Sequence, residues 1–387
     1  MINRTVGDAP RRRLLGFVCL ALLCGILYAG LTPFHSPTND VSWIADANAL
    51  RFGEHGTIFS SEPFSPPADG ERSIEVVAQP GKIEDSNTLI AFYDPASLRH
   101  ISIRQDESDL VVYIEPSDAW RYAKTDQLYA PDAFRDGRLA VWTVTFGPSG
   151  TAIYRNGALV TKSALRATAA ELGGQLIVSG SPIYNQSWSG VLRGLAIYDS
   201  TLTPAQVAGH FASWANGMLP TSDPGERRVG LYVFNEGWGD VAHNSAGSGH
   251  DLYIPPRYMV LRKTLLDPVW RAFNWKWGFW QDAAINVGGF IPAGCFFCAW
   301  FGALGFTRPV IRTVVFGAGL SLLIEVTQRF LPSRDSSMDD VINNTLGTMI
   351  GALLYRGWIA RSIEICRYGY TRTRAFGVLR RTASNSV

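Results

Sequence analysis

The most constraining feature of this sequence is the placement of its long uncharged apolar runs, which lie only near its two ends. The first run, residues 14–31, follows three consecutive arginines at 11–13. Later runs cover residues 283–307, 313–324 and 341–355. A hydrocarbon core of about 30 Å is crossed by about 20 helical residues. The runs therefore predict a bundle of four transmembrane helices, at 14–33, about 283–304, 310–329 and 340–358.

A cleaved signal peptide is the alternative for the first run. Its apolar region is usually roughly 7–15 residues long and ends at a small-x-small site. The run here is longer, and no such site is evident near residues 28–30. We therefore expect an uncleaved membrane anchor.

The arginines predict the orientation in the membrane. They precede the first run, follow the second at Arg308 and Arg312, and recur in the basic tail 359–387 after the fourth. Short cytoplasmic segments carry the excess of positive charge. We therefore expect a multi-pass protein of the cell (inner or plasma) membrane. Residues 1–13 and the tail would be cytoplasmic, and residues 34–282 would lie outside the cytoplasm.

Composition excludes several classes of protein. Charged residues make up 18% of the chain, the net charge is +2 and the mean hydropathy is +0.04. This balance does not fit a disordered chain or a basic nucleic-acid-binding domain. No glycine-rich phosphate loop precedes a predicted helix, so we expect neither nucleic acid nor nucleotide as a partner.

The long segment between the first two runs, residues 38–262, has an all-β pattern. Short alternating stretches are separated by Gly, Pro, Asn and Ser, as in a sandwich or jelly roll. Asn156 and Gly157 predict a type I′ turn that pairs 151–155 with 158–162. Thr203, Pro204 and Gln206 predict a helix start with a capping box.

Three stretches of this segment resemble laminin-G-like, concanavalin A-like domains. They are residues 142–146, 153–157, and 194–199 with 202–207. The resemblance implies a two-sheet jelly roll that binds carbohydrate or protein and in some members holds Ca²⁺. Residues 230–239 and 252–255 look like the opening strands of such domains. At the end of the segment they would complete the sandwich or be the remnant of a repeat.

Ligand residues in this ectodomain cannot be singled out from the sequence. Acidic side chains could hold Ca²⁺, although isolated aspartates in β-rich domains mostly cap turns. The candidates are Asp94, Asp106, Asp109 and Asp199. Aromatic rings could stack on sugars, although large aromatics in a sandwich usually belong to its core; the candidates are Trp120, Tyr184 and Trp188.

Polar residues concentrate at the predicted outer ends of the last three spans. Ionisable residues within a span are costly and mark function by default. The cluster consists of Asp282, Asn286, Glu325, Gln328, Arg334, Asp339, Asp340, Asn343 and Asn344. Glycines at Gly289, Gly347 and Gly351 would let helices approach closely.

Two interpretations of this polar cluster remain open. It could be a hydrogen-bonded network that fixes the bundle, with Arg329 or Arg334 neutralising Glu325. It could instead line a cavity that is open to the outer leaflet and binds a polar lipid headgroup or a sugar.

The same residues resemble the VanZ-like membrane proteins over residues 268–358. The motifs are Asn286-x-x-Gly289-Phe290-x-Pro292-x-Gly294, Ser321-x-x-x-Glu325-x-x-Gln328, Leu331-Pro332-x-Arg334, and Asp339-Asp340-x-x-Asn343-Asn344-x-x-Gly347-x-x-x-Gly351. Members of that family are linked to low-level teicoplanin resistance and to cell-envelope processes. The resemblance implies a setting for the protein but no reaction.

Two functions follow as hypotheses. The first is a non-enzymatic envelope protein whose ectodomain binds carbohydrate or an envelope protein, while the bundle anchors it or binds membrane lipid. The alternative is a membrane enzyme that acts on a lipid-linked envelope substrate, with Glu325 as base and Asp339 or Asp340 as acid or metal ligand. A transporter would need oligomerisation, because four spans are few for a pore. We expect no catalysis, since the spans hold no nucleophile motif, no histidine and no metal-ligand spacing.

Overall fold

A computed structural model of the chain describes residues 8–118, 124–221, 223, 225–247, 249–273, 277–331 and 333–359. The chain forms two compact units. One unit is helical and contains residues 1–32, 265–330 and 336–387. The other unit is mostly β and contains Pro33–Thr264 together with Leu331–Asp335.

The described α-helices of the helical unit are long except for one of four residues, and one further α-helix lies in the β unit. They are α1 (Asp8–Leu31), α2 (Pro204–Ala215), α3 (Val269–Ala272), α4 (Trp277–Ala303), α5 (Pro309–Gln328) and α6 (Met338–Leu354). A π-helical turn, Tyr355–Ile359, continues α6.

The β unit is built from short strands that are joined mostly by turns. They are β1 (Val41–Ile44), β2 (Ala49–Phe52), β3 (Ile58–Ser60), β4 (Arg72–Pro80), β5 (Asp85–Tyr93), β6 (Arg99–Glu107), β7 (Asp109–Pro116), β8 (Asp126–Ala130), β9 (Ala140–Gly147), β10 (Gly150–Arg155), β11 (Ala158–Ser163), β12 (Gln175–Val178), β13 (Gly190–Tyr198), β14 (Arg228–Tyr232), β15 (Val241–Ala242) and β16 (Leu252–Tyr253).

These strands form two antiparallel sheets. Sheet 1 has the order β1-β2-β13-β4-β9-β10-β11, and β14 pairs with the free half of β13. Sheet 2 has the order β15-β16-β3-β12-β5-β6-β7-β8. Each sheet combines hairpins of consecutive strands with pairs of strands that are distant in sequence, such as β4 with β13 and β3 with β12, as in a jelly roll. The expected β-sheet fold of this segment is confirmed.

One hydrophobic core lies between the two sheets. It contains alternate residues of facing strands, among them Ile90 of β5, Trp142 of β9 and Leu195 of β13. Burial of alternate residues leaves the other face of each strand pointing away from the core. In sheet 1, Glu75 and Val77 of β4 therefore lie on the outer face.

Local sequence signals match the observed elements. Asn156 and Gly157 both have positive φ, 50° and 81°, and they join β10 to β11. The Thr203 side chain caps α2 in a capping box with Gln206, and Pro204 begins the helix. Both predictions are confirmed.

The last strands of the insert complete the sandwich and do not start a second domain. β14 pairs with β13 in sheet 1, and β16 pairs with β3 in sheet 2. The two ends of the chain segment that forms the sandwich also lie side by side, because Thr38 and Arg257 form an isolated antiparallel bridge.

Three helices of the helical unit are long and apolar enough to cross a membrane. They are α1 from Ala9, α4 and α5. Helix α6 has 17 residues and is not among them. Among the described residues, three of the four expected segments thus form helices that are long and apolar enough to span a membrane, and the four-span topology stays a prediction.

Glycines set the contact between α4 and α6. A Cβ atom at Gly347 would overlap the carbonyl oxygen of Val287, and one at Gly351 would overlap that of Ile291. Around Gly289 there is open space, which differs from the expectation of a packing glycine. Residues 287 and 291 are four apart and share one helix face, whereas residue 289 lies on the opposite side.

Candidate functional site

The polar residues of the helical unit form several separate hydrogen bonds between helices. Asn286 Nδ2 of α4 donates to Asp340 Oδ1 of α6 at 2.5 Å. Asn344 of α6 is buried and donates to Ser321 Oγ of α5 at 2.9 Å. These bonds join α6 to both of its neighbours.

The two polar residues predicted near the end of α5 are both buried. Glu325 is 1% exposed, and one carboxylate oxygen accepts the amide N–H of Ser337 at 2.7 Å. Gln328 donates from Nε2 to the carbonyl oxygen of Gly30 at 2.7 Å. A backbone N–H at the start of α6 is thus a partner of Glu325.

The remaining members of the predicted cluster are less enclosed. Asp339 accepts the hydroxyl of Ser337 and is half-buried, as is Asn343. Asp282 is exposed. Arg334 lies in the segment that belongs to the β unit, and there its carbonyl oxygen accepts from the ammonium of Lys263.

Two buried acceptors in this network have no partner among the described atoms. They are Gln328 Oε1 and Asn344 Oδ1. Buried polar groups are normally hydrogen-bonded, so each of these two oxygens can accept a hydrogen bond from a further donor. A bound ligand with a hydrogen-bond donor would therefore fit this network.

In the β unit, two of the sequence candidates have structural roles. Asp199 pairs with the fully buried Arg72 at 2.6 Å, and the Arg72 guanidinium also donates to the carbonyl oxygen of Ser65. Trp188 is 0% exposed and donates to Gln105 Oε1 at 2.9 Å, so it belongs to the core and cannot stack on a sugar.

The other acidic candidates are engaged at separate places. Asp94 accepts the amide N–H of Ala96, and Asp109 accepts that of Asp132. Asp106 accepts the hydroxyls of Ser86 and Tyr113. Among the described residues no three His, Cys, Asp or Glu side chains are grouped so as to hold a metal ion. Asp94 thus serves a turn, as isolated aspartates usually do, whereas Asp106 and Asp109 accept from residues of other segments.

The aromatic candidates differ in how far they can be placed. Tyr184 is partly buried against a small cluster around Phe59 and Tyr93 on sheet 2. Trp120 lies outside the described residues, as do the basic tail from residue 360 and Pro332.

A buried charge cluster beneath α2 was not predicted from the sequence. His210 Nδ1 lies 3.0 Å from Glu75 Oε1, and His210 Nε2 lies 3.3 Å from Glu226 Oε1. The other oxygen of Glu75 accepts from Trp214 Nε1 at 3.2 Å and from the Tyr198 hydroxyl at 3.3 Å. Burial alone would lower the pKa of His210, but the two carboxylates raise it above its ordinary value. The cluster fixes α2 on the outer face of sheet 1.

A groove of about 670 Å³ lies along α2, beside this charge cluster. We name it the α2 groove and define it by Asn48, Val141, Asn156, Arg193, Trp214 and Asn235. Its floor is the outer face of sheet 1, and one wall is α2 with the turn that follows. Its volume lies within the range typical of ligand sites.

A second cleft of about 580 Å³ lies at the end of sheet 2, beside Tyr93, Gln175 and Arg262. Its polar groups are already engaged. Gln175 donates to the carbonyl oxygen of Ser60 at 2.8 Å, and Arg262 pairs with Asp118 at 3.2 Å. This cleft therefore offers a ligand fewer free groups than the α2 groove.

Two protein families match separate parts of the chain. Residues 232–361 match VanZ/LLP1. Residues 63–208 match the concanavalin A-like lectin/glucanases superfamily. Both matches agree with the motifs in the sequence.

Three of the solved structures that match this chain share little sequence with it. A heptameric SAP-like pentraxin from Limulus polyphemus is 12% identical, with a TM-score of 0.33, over 53% of this chain and 90% of that one. A candidate carbohydrate-binding protein from Bacteroides ovatus is 14% identical, with a TM-score of 0.36, over 54% of this chain and 63% of that one. The binding domain of Paraclostridial Mosquitocidal Protein 1 is 15% identical, with a TM-score of 0.31, over 46% of this chain and 47% of that one.

No functionally curated protein matches the chain. Residues 63–208 are thus similar to concanavalin A-like lectins and glucanases, and residues 232–361 are similar to VanZ/LLP1.

Proposed function

We propose that the chain is a multi-pass protein of the cell envelope whose β unit binds carbohydrate or an envelope protein outside the cytoplasm. The observation that carries the proposal is the presence, in one chain, of a VanZ-like region and a concanavalin A-like lectin/glucanase domain. Three helices long enough to span a membrane support the location. Membrane lipid is then a partner of the helical unit.

The proposed topology has four spans at 14–33, 283–304, 310–329 and 340–358, cytoplasmic termini and an extracytoplasmic domain at 38–262. Arg308 and Arg312, in the short turn and first helical turns after α4, support this orientation. The test uses single cysteines in a chain whose native cysteines are replaced, with a membrane-impermeant maleimide on spheroplasts. Arg166→Cys is expected to react in intact spheroplasts, and Thr307→Cys only after lysis. The reverse pattern would contradict the orientation.

Carbohydrate binding is tested with the full-length chain in a sugar-free detergent. The probes are envelope polysaccharides, peptidoglycan fragments and lipid-linked precursors, each with and without Ca²⁺. Saturable binding to at least one of these classes is expected. If none binds, the recognition role would pass to a protein partner, and carbohydrate binding would be wrong.

The family resemblance extends the proposal to tolerance of glycopeptide antibiotics. Deletion of the gene is expected to lower the teicoplanin concentration that stops growth, and the wild-type chain is expected to restore it. Unchanged susceptibility after deletion would remove this part of the proposal.

A second function is favoured by one specific observation, the burial of Glu325 beside a backbone N–H at the start of α6. A carboxylate held in this way could serve a membrane enzyme as a base, with Asp339 or Asp340 as acid or metal ligand. In that case Glu325→Gln would leave expression intact and stop turnover of a lipid-linked precursor. The absence of turnover by the wild-type chain would contradict the enzyme.

A further inference from the structure

The charge of the α2 groove comes from one arginine. Arg193 is the single charged side chain among the residues that line it. The guanidinium is exposed, and among the described residues it has neither an ion pair nor a hydrogen bond. The nearby carboxylate of Glu75 faces His210 and Trp214 beneath α2 and is fully buried. The groove therefore presents one uncompensated positive charge.

Backbone geometry places Arg193 in this position. The pairing of β13 with β4 shifts register there, because Leu192 pairs with Ala78 and Gly194 pairs with Val77. Arg193 is thus the extra, unpaired residue of a β-bulge. Bulges re-aim side chains and are common beside binding sites.

The rest of the lining suits a ligand with both hydroxyl groups and apolar faces. Three asparagines reach the groove from separate segments: Asn48, Asn156 and Asn235. The amides of Asn48 and Asn235 can each both donate and accept, which is what recognition of hydroxyl groups needs. Asn156 offers its side-chain N–H donors, because its Oδ1 accepts the amide N–H of Val141 at 2.9 Å. Trp214 supplies an aromatic surface, and its indole packs on Gly194, where a Cβ atom would lie 2.7 Å from the ring.

We propose that the α2 groove binds a saccharide that carries a carboxylate, with the guanidinium of Arg193 paired to the carboxylate. The inference rests on the proposed carbohydrate-binding function and names its site and its ligand class. Asparagines contact the sugar hydroxyls, and the indole of Trp214 contacts a sugar C–H face. A guanidinium and a carboxylate form charge-assisted, often bidentate hydrogen bonds, which neutral sugars cannot offer.

The experiment compares tetragalacturonate, which carries a carboxylate on each sugar, with its methyl ester, in which each carboxylate is replaced by a neutral ester group. The full-length chain in a sugar-free detergent is titrated with each probe by calorimetry. The acid is expected to bind about tenfold or more tightly than the ester, which is the range of a hydrogen bond to a charged group. Arg193→Gln is expected to abolish that difference.

Two further variants separate the groove from general effects of charge and folding. Arg166→Gln removes an exposed arginine that does not line the groove, and it should keep the wild-type preference for the acid. Gly194→Ala pushes the indole from its place and should weaken binding of both probes. Circular dichroism of each variant checks that the β-sheet signal is retained.

The outcomes distinguish this inference from the function on which it rests. Equal binding of acid and ester, or unchanged binding by Arg193→Gln, would overturn the inference while leaving carbohydrate binding intact. Stronger, Arg193-dependent binding of a pentaglutamate peptide would make the occupant a peptide and overturn the inference. If no saccharide of any class binds, the carbohydrate function falls together with it.

Discussion

The side-chain amide of Asn286 in α4 lies 2.5 Å from the carboxylate of Asp340 in α6. The bond joins two helices that also meet at glycines, so a polar contact and a close backbone approach hold the same pair. Hydrogen bonds between membrane helices contribute about 0.6 kcal/mol on average and about 1.7 kcal/mol at most.

Replacing Asn286 by alanine tests that contribution. Asn286→Ala is expected to lower the stability of the helical unit by about 1 kcal/mol, because the hydrogen bond from Asn286 to Asp340 is lost. The measurement is unfolding of the purified chain in detergent, followed by its helical circular dichroism. Asn343→Ala is the matched control, since the structure gives Asn343 no side-chain hydrogen bond to a described residue. Equal losses in the two variants would contradict the role of the bond.

The glycines of α6 provide a steric test. Gly347→Ala puts a methyl group onto the carbonyl oxygen of Val287, so the helices must separate. Overpacking of this kind typically costs about 1–3 kcal/mol. The same change at Gly289 meets open space and is expected to be neutral or to stabilise the helix, by about 1 kcal/mol at most. Thermal midpoints of the two variants in one detergent decide the point, and a larger loss at Gly289 would count against the packing described.

His210 makes the β unit sensitive to pH. Its pKa is raised in the folded chain by Glu75 and Glu226, against the effect of burial. The stabilisation is therefore fully present below about pH 6.5, the ordinary histidine value, and is lost as the pH rises through the folded pKa.

We expect the thermal midpoint of the β unit to decrease as the pH is raised from about 6.5 to alkaline values. The midpoint is measured from the β-sheet circular dichroism signal. His210→Asn should be less stable and should lose much of this pH dependence. His243→Asn, at an exposed histidine, should behave like the wild-type chain. A wild-type midpoint that rises over this range would show that the sign is wrong.

Breaking the ion pair of Arg72 with Asp199 is expected to cause a large loss of stability of the β unit. Arg72 is fully buried, so Asp199→Ala would leave a buried guanidinium without its carboxylate. Such a change costs about 3–5 kcal/mol. Asp136→Ala breaks the more exposed pair with Arg155 and should cost at most about 1 kcal/mol. Chemical denaturation of both variants measures the difference, and similar losses would contradict the ranking.

Local signals predicted local structure well. The turn at Asn156 and Gly157 depends on backbone conformations that few residues adopt, and the start of α2 depends on a side chain three residues from its partner. Such features need no tertiary information, so the sequence alone is enough to place them.

Features that depend on distant partners were not predictable in the same way. Glu75 and His210 are 135 residues apart, and only the order of strands in sheet 1 brings them together. Trp188 was a candidate for sugar stacking, yet composition does not tell which aromatic faces the core. The α2 groove was missed because Arg193 reaches it through a β-bulge, which leaves no recognisable sequence motif.

The bridge between Thr38 and Arg257 makes the sandwich a modular insert. The backbone N–H of Asn39 also donates to the carbonyl oxygen of Pro256, and that of Tyr258 donates to that of Pro37. The segment that leads into the sandwich and the segment that leads out of it therefore run side by side. Domains with adjacent ends can be spliced into a loop of a host protein at small cost. A shorter connection between residues 37 and 258 would then keep the host chain continuous, so the β domain at this point is exchangeable for another domain with adjacent ends.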